Sequence, residues 1–192
     1  MTLLTEKRVR AAAQQAETRL RKSARTLLAE VAKTPHDSFD IFLSHSIKDA
    51  EIVLGTLAIL EDFGFSVYVD WIVDPEMNRE HVTPETAAIL RGRMEQCQSL
   101  LYLKTDNSTD STWMPWELGY FDALRGRVGI LPIVQHSQDE FDGNEYLGLY
   151  PYVDVADIEK TGEQILWINR SQKEYGRLRQ WIADQDVIRK RA

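Results

Sequence analysis

Phe39-Asp40-Ile41-Phe42-Leu43-Ser44-His45, then a run patterned to Phe63-Gly64, then Ser66-Val67-Tyr68-Val69-Asp70-Trp71: this stretch decides the fold. Asp40 to His45 reads as a short buried strand. Residues 48–63 place Ala50, Val53, Leu54, Leu57, Leu60 and Phe63 on one side of a helix, with Gly64 at its end. Ser66 to Trp71 alternates as a second strand does. A strand, a helix and a strand in this order make a parallel crossover unit.

Outward from this unit the alternation continues. A loop of roughly a dozen residues ends at Thr83-Pro84, an N-cap followed by a proline at the first helical position. The helix 84–96 leads to a strand at Leu100-Leu101-Tyr102-Leu103. Polar residues 105–112 precede a helix from Trp113, closed by Gly126. Val128 to Val134 is a further strand, in which Pro132 predicts a position near an edge or a bulge. Residues 135–149 read as loop, Tyr152 to Val155 as a fifth strand, and about 170–184 as a last amphipathic helix carrying Tyr175, Leu178 and Ile182. Five parallel strands with helices on both faces suggest the order 2-1-3-4-5, with a ligand crevice where strands one and three diverge.

Ahead of this body lies a different segment. Residues 5–33 hold no Gly or Pro, and Val9, Ala13, Ala16, Leu20, Ala24, Leu27 and Val31 form one apolar stripe. The helix either packs on the domain or meets its counterpart in another subunit, and Thr34-Pro35 stops it. The organisation expected is an N-terminal basic amphipathic helix, 1–34, and one domain, 35–192. Residues 1–33 carry eight Lys/Arg and three Asp/Glu, leaving 15 and 27 for the rest, which sums to the net charge of −7. A body this acidic repels nucleic acid and anionic membrane, so neither is expected as a partner. The most apolar stretch, Ile52 to Leu60, is nine residues long, against the ~20 a membrane span needs. With no signal-peptide pattern at the N-terminus and Cys97 as the single cysteine, the expected location is cytoplasmic.

The crevice of such a sheet lies at the carboxyl ends of the strands, where Ser44-His45-Ser46, the loop after Trp71 and the polar run 105–112 must converge. That run opens the helix Trp113-Met114-Pro115-Trp116-Glu117-Leu118-Gly119. Trp113, Glu117, Phe121 and Leu124 share a stripe, so Glu117 lies among large apolar side chains. Two readings are equally supported at this point. Either the carboxylate has a functional reason to be in an apolar setting, or it is an acid favoured by the helix dipole at about 0.3–1 kcal/mol.

Phe42-Leu43-Ser44-His45-Ser46-Ile47-Lys48-Asp49 resembles the opening box of Toll/interleukin-1 receptor (TIR) domains. Ser111-Thr112-Trp113 with Glu117 four residues on is similar to the Ser-x-Trp-x-x-x-Glu signature of TIR domains that cleave NAD+. The wording Trp-Met-Pro-Trp-Glu-Leu-Gly most resembles bacterial TIR proteins, including those of Thoeris-type antiphage signalling. The resemblance covers about Ser38 to Val134. It implies a flavodoxin-like three-layer α/β fold and Glu117 as the catalytic residue. As substrate-binding residues it implies Phe42, Ser44, His45, Ser46, Trp71, Arg79, Ser111 and Trp113. The loop Ile72-Val73-Asp74-Pro75-Glu76-Met77-Asn78-Arg79-Glu80-His81 departs from the family's usual turn by being longer and lacking Gly.

The activity so implied is that of an NAD+ glycohydrolase or ADP-ribosyl cyclase (NAD+ nucleosidase class), with NAD+ as substrate and no cofactor. Self-association through TIR–TIR contacts and a downstream nucleotide-sensing effector are the implied partners. The expected chemistry needs no metal, and the four histidines (36, 45, 81, 136) show no ligand spacing. Two other readings stand beside it: a non-catalytic TIR interaction scaffold, and a nucleoside 2-deoxyribosyltransferase-like enzyme, for which a second acidic site is missing. A phosphoreceiver domain is disfavoured because Ser44-His45-Ser46 stands where an acidic pair is required.

Overall fold

The computed structural model describes residues 2–20, 38–69, 83–141, 143, 145–171, 173–185 and 189–190. The helices are α1 (Glu6–Leu20), α2 (Ala50–Asp62), α3 (Pro84–Glu95), α4 (Trp113–Arg125) and α5 (Leu178–Ile182). The strands are β1 (Leu4–Thr5), β2 (Phe39–Ser44), β3 (Val67–Tyr68), β4 (Cys97–Lys104), β5 (Val128–Val134), β6 (Tyr152–Asp157), β7 (Gln164–Ser171), β8 (Glu174–Arg177) and β9 (Arg189–Lys190). Local signals account for several of these bounds. The Thr83 hydroxyl accepts from the Thr86 amide at 3.2 Å with Pro84 following, and Gly126 ends α4 at φ 63°, a left-handed conformation that suits glycine.

Among the described residues one sheet of nine strands runs β3-β2-β4-β5-β6-β7-β8-β9, with β1 beside β5. Pairings from β3 to β6, and of β1 with β5, are parallel; those from β6 onward are antiparallel. The sheet is therefore larger than the five parallel strands expected. The helix expected at about 170–184 is corrected to the end of β7, strand β8 and the five-residue α5. Tyr175, Leu178 and Ile182 match a helical period, but three positions are too few to outweigh pairing with β7. Leu166 and Ile168 are buried there, and the Trp167 and Tyr175 rings meet at 5.5 Å across the hairpin.

Pro132 does not mark an edge, since β5 lies inside the sheet. It shares the strand side of Ile130, whose amide donates to Pro151 in front of β6. On that side pairing passes from β6 at Ile130 to β1 at Ile133, so a residue without N–H stands at the handover.

The two faces of the sheet carry separate cores. On one, Ile41, Leu43, Leu101, Leu103 and Leu131 pack with Val53, Leu57 and Leu60 of α2, Val9 and Ala13 of α1, and Trp181 of α5. On the other, Phe42, Leu100, Tyr102 and Ile130 pack with Leu90 and Met94 of α3 and Met114, Leu118 and Phe121 of α4. Leu124, expected on the buried stripe of α4, is exposed. Among the described residues no helix is long and apolar enough to cross a membrane.

The N-terminal helix packs on the domain. Val9 and Ala13 have no exposure, and a methyl group added at Gly55 of α2 would lie 1.9 Å from the Val9 carbonyl oxygen. Gly→Ala inside a helix ordinarily gains about 1 kcal/mol, but a backbone oxygen cannot yield as a flexible side chain can, and overpacking costs about 1–3 kcal/mol. The Gly55→Ala variant is expected to unfold at lower urea than the wild type. A midpoint equal to or above wild type would show that α1 does not approach α2 this closely.

Candidate active site

Helix α4 delivers Glu117 to the carboxyl ends of β2 and β4, the two strands between which the direction of winding reverses. Trp113 is the first helical residue and Pro115 the third, where a missing N–H leaves no intrahelical bond unmade. The Ser111 hydroxyl accepts from the Met114 amide at 3.3 Å, and so caps the helix start. Glu117 lies one turn further in, where the helix dipole has largely fallen away. Its full burial is set by the neighbouring Met114, Leu118 and Phe121 and not by the helix end.

Burial of a carboxyl group is costly unless hydrogen bonds replace water. Ser44, the last residue of β2, supplies one: its hydroxyl donates to Glu117 Oε2 at 2.6 Å. Ser44 is itself buried, at 1% exposure. Directly across the sheet it is paired in register with Tyr102 of β4, whose side chain joins the same core. Burial pushes the Tyr102 phenol well above its usual range. Hydrogen bonding with Tyr146 and the nearby Glu117 carboxyl act in the same direction, against a lowering by Ser108.

His45 and Ser46 are buried beside this centre, but both serve the backbone. His45 Nδ1 lies 2.7 Å from the Leu43 carbonyl oxygen; a carbonyl only accepts, so Nδ1 bears the hydrogen. Ser46 caps the short 3-10 turn Ile47–Asp49, accepting from the Lys48 amide. Phe42 is a core residue, stacked on Tyr68 with centroids 5.1 Å apart. Trp113 is 6% exposed and meets Trp116 edge-on at 5.5 Å. Of the residues singled out in the sequence, Ser44 and Glu117 are joined directly. Trp71, Arg79 and the rest of the loop 72–81 lie outside the described residues.

Three features escaped the sequence reading. Tyr102 is one, since only strand register puts it beside Ser44. The second is Asp49, 6% exposed, whose two oxygens accept from Thr105 Oγ1 and Asn107 Nδ2, each at 2.6 Å. These bonds clamp the turn after β2 to the turn after β4, and the ion pair of Lys48 with Asp110 at 2.7 Å adds a second tie. The third is Tyr146, in the turn Glu145–Leu149, within a segment read only as loop. The buried acid at the start of α2 was the available signal for Asp49. Among the described residues no cluster of His, Cys, Asp and Glu is arranged to hold a metal ion.

A mostly parallel α/β sheet, covered by helices on both faces and holding a buried glutamate at its switch point, is a flavodoxin-like architecture. Its relatives narrow that class. Over 164 residues the chain is 46% identical to the Bacillus cereus (strain MSX-D12) protein named "Probable 3' cyclic ADP-D-ribose synthase ThsB'", covering 84% of this chain and 85% of that one. Over 83 residues it is 36% identical to "Putative cyclic ADP-D-ribose synthase TIR2" of Cytobacillus dafuensis, covering 43% of this chain and 22% of that protein. No family model matches the chain. The chain belongs to the bacterial TIR family, together with these Thoeris-like relatives.

The Tyr102 phenol allows a test of the site's packing that is independent of activity. Its acid is weaker in the folded state, so above the usual phenol value of 10.0 the unfolded chain releases a proton that the folded chain keeps. The unfolded state then binds fewer protons, and stability falls as pH rises. Tyr102→Phe is therefore expected to lose less stability than wild type between pH ~9 and ~11 in denaturant titrations. Parallel losses in the two proteins would show that this phenol ionises as freely folded as unfolded.

Proposed function

We propose that the protein cleaves the bond between nicotinamide and ribose in NAD+ and closes the ADP-ribosyl product into a cyclic signal. The observation that carries the reading is Glu117, fully buried at the switch point and held by Ser44. The relatives' names support the substrate class, and the 3′ linkage is the one named for the relative that covers 84% of this chain.

The chemistry follows from the bond. Nicotinamide leaves as a neutral molecule, taking the electron pair of the C1′–N bond, and needs no general acid. The ribosyl group is left as an oxocarbenium-like cation, and Glu117 is the anion that stabilises it. A hydroxyl of the same molecule then attacks C1′ and gives up its proton, which closes the ring; attack by water would give linear ADP-ribose. Trp113 and Phe42 are assigned to the wall of the site. Ser44, His45, Ser46 and Ser111 form its strand-end and helix-start margin, while Trp71 and Arg79 are assigned to the side of the loop that follows β3. NAD+ is thus substrate, and no cofactor is required. Self-association through TIR surfaces and a downstream nucleotide-sensing effector in antiviral defence complete the proposal.

The test is chromatography of NAD+ incubated with the purified protein, beside Glu117→Gln. Wild type is expected to release nicotinamide, and the variant to be slower by about 100-fold or more, the scale of removing a pre-organised electrostatic group. Mass spectrometry separates the two products, since the cyclic one is lighter than linear ADP-ribose by one water. A protein that self-associates but consumes no NAD+, with or without extract of phage-infected cells, would establish the interaction scaffold instead.

A further inference from the structure

The family resemblance placed Ser44 among residues that touch substrate; its geometry assigns a different task. A serine hydroxyl has one hydrogen to give, and Ser44 gives it to Glu117 Oε2 at 2.6 Å. A distance of 2.6 Å falls in the range for hydroxyl donors to ionised carboxylates, the stronger class of hydrogen bond. The donor is also fixed from below. Ser44 ends β2, which pairs with β3 at Ile41 and Phe42 and with β4 as far as Ser44 itself, opposite Tyr102. Asp49, five residues on, is clamped to Thr105 and Asn107 at the end of β4. The hydroxyl therefore sits on a part of the backbone held by β4 and by the Asp49 clamp, while the carboxylate it grips comes from a helix on one face.

We propose that Ser44 is a positioning residue, which fixes the rotamer of Glu117 through Oε2 and so sets how the carboxylate meets the ribosyl cation. This rests on the reading of the protein as an NAD+-cleaving enzyme. Tyr102 lies in register beside Ser44 on β4. A displacement of about 1 Å in a catalytic group can reduce rate by about 100-fold without altering substrate affinity, and that separation is the signature to look for.

Steady-state kinetics of NAD+ cleavage on the full chain decide the matter, comparing wild type, Ser44→Ala, Ser44→Cys, Ser44→Thr and Glu117→Gln, with circular dichroism and melting curves to select folded variants. Ser44→Ala is expected to lower kcat by about 10- to 100-fold with KM within about threefold of wild type. Ser44→Thr, which retains the donor, is expected to recover part of kcat. Ser44→Cys, nearly the same shape but a weak donor, should resemble Ser44→Ala, and it replaces that variant if alanine prevents folding. A raised KM with unchanged kcat would overturn the proposal and return Ser44 to the substrate-contacting residues. Unchanged kinetics in Ser44→Ala, with Glu117→Gln inactive, would overturn the positioning role alone. An inactive wild type, or a fully active Glu117→Gln, would overturn the catalytic reading and this proposal with it.

Discussion

A carboxyl group with no access to water has to be supplied with hydrogen bonds by the protein, and in this chain that requirement organises the centre of the molecule. Glu117 sits on α4 with the buried Trp113, Met114, Leu118 and Phe121 on the same helix. One compensating donor comes from the sheet, at the switch point where β2 and β4 run side by side. Ser44 meets the need with a small side chain that leaves the helix close to the sheet. An apolar residue there would leave a buried oxygen without that donor, at a cost of about 1–3 kcal/mol.

From that constraint the surrounding polar contacts acquire a common purpose. Asp49 binds Thr105 and Asn107, which ties together the backbone turns that follow β2 and β4. Ser46 and His45 hold the first of those turns by local bonds to the backbone, and Ser111 holds the entry to α4. On the far face, α1 lies so close on α2 that only glycine fits at position 55. Residues 2–20 therefore brace the helix whose N-cap is Asp49, and β1 extends the same bracing to the end of β5. The amino-terminal segment is in this way connected to the switch point through packed elements, although it lies on the opposite side of the sheet from Glu117.

Much of this was legible in the residues. Period-two and period-3.6 patterns located β2, α2, α4 and β5 because each is long enough for its apolar positions to repeat several times. Thr83-Pro84 and Gly126 marked boundaries through capping chemistry that is local by nature. Failure came where the decisive contact is remote. Tyr175, Leu178 and Ile182 fit a helix until Trp167 is seen across the β7–β8 hairpin. Pro132 suggests an edge unless β1 is known to take over from β6. The same division runs through the site: Glu117 was marked by its aromatic stripe, whereas Tyr102 depends on the register between β2 and β4, a fact that no single segment contains.

The division also separates Glu117 from Ser44 in how readily each is noticed in the sequence. An acid on an apolar helix face is unusual enough to be noticed from spacing alone, since burying it needs a reason. A serine at a strand end is commonplace, and whether it faces a ligand or a neighbouring side chain depends on where its single hydrogen goes. At Ser44 that hydrogen is committed to Glu117, at 2.6 Å and out of contact with solvent. A strand end and a helix face are thus joined, with the carboxyl on the helix and a donor to it on the sheet. The bond ties the carboxyl to backbone that is itself paired in the sheet, so its placement depends on strand register and helix packing together.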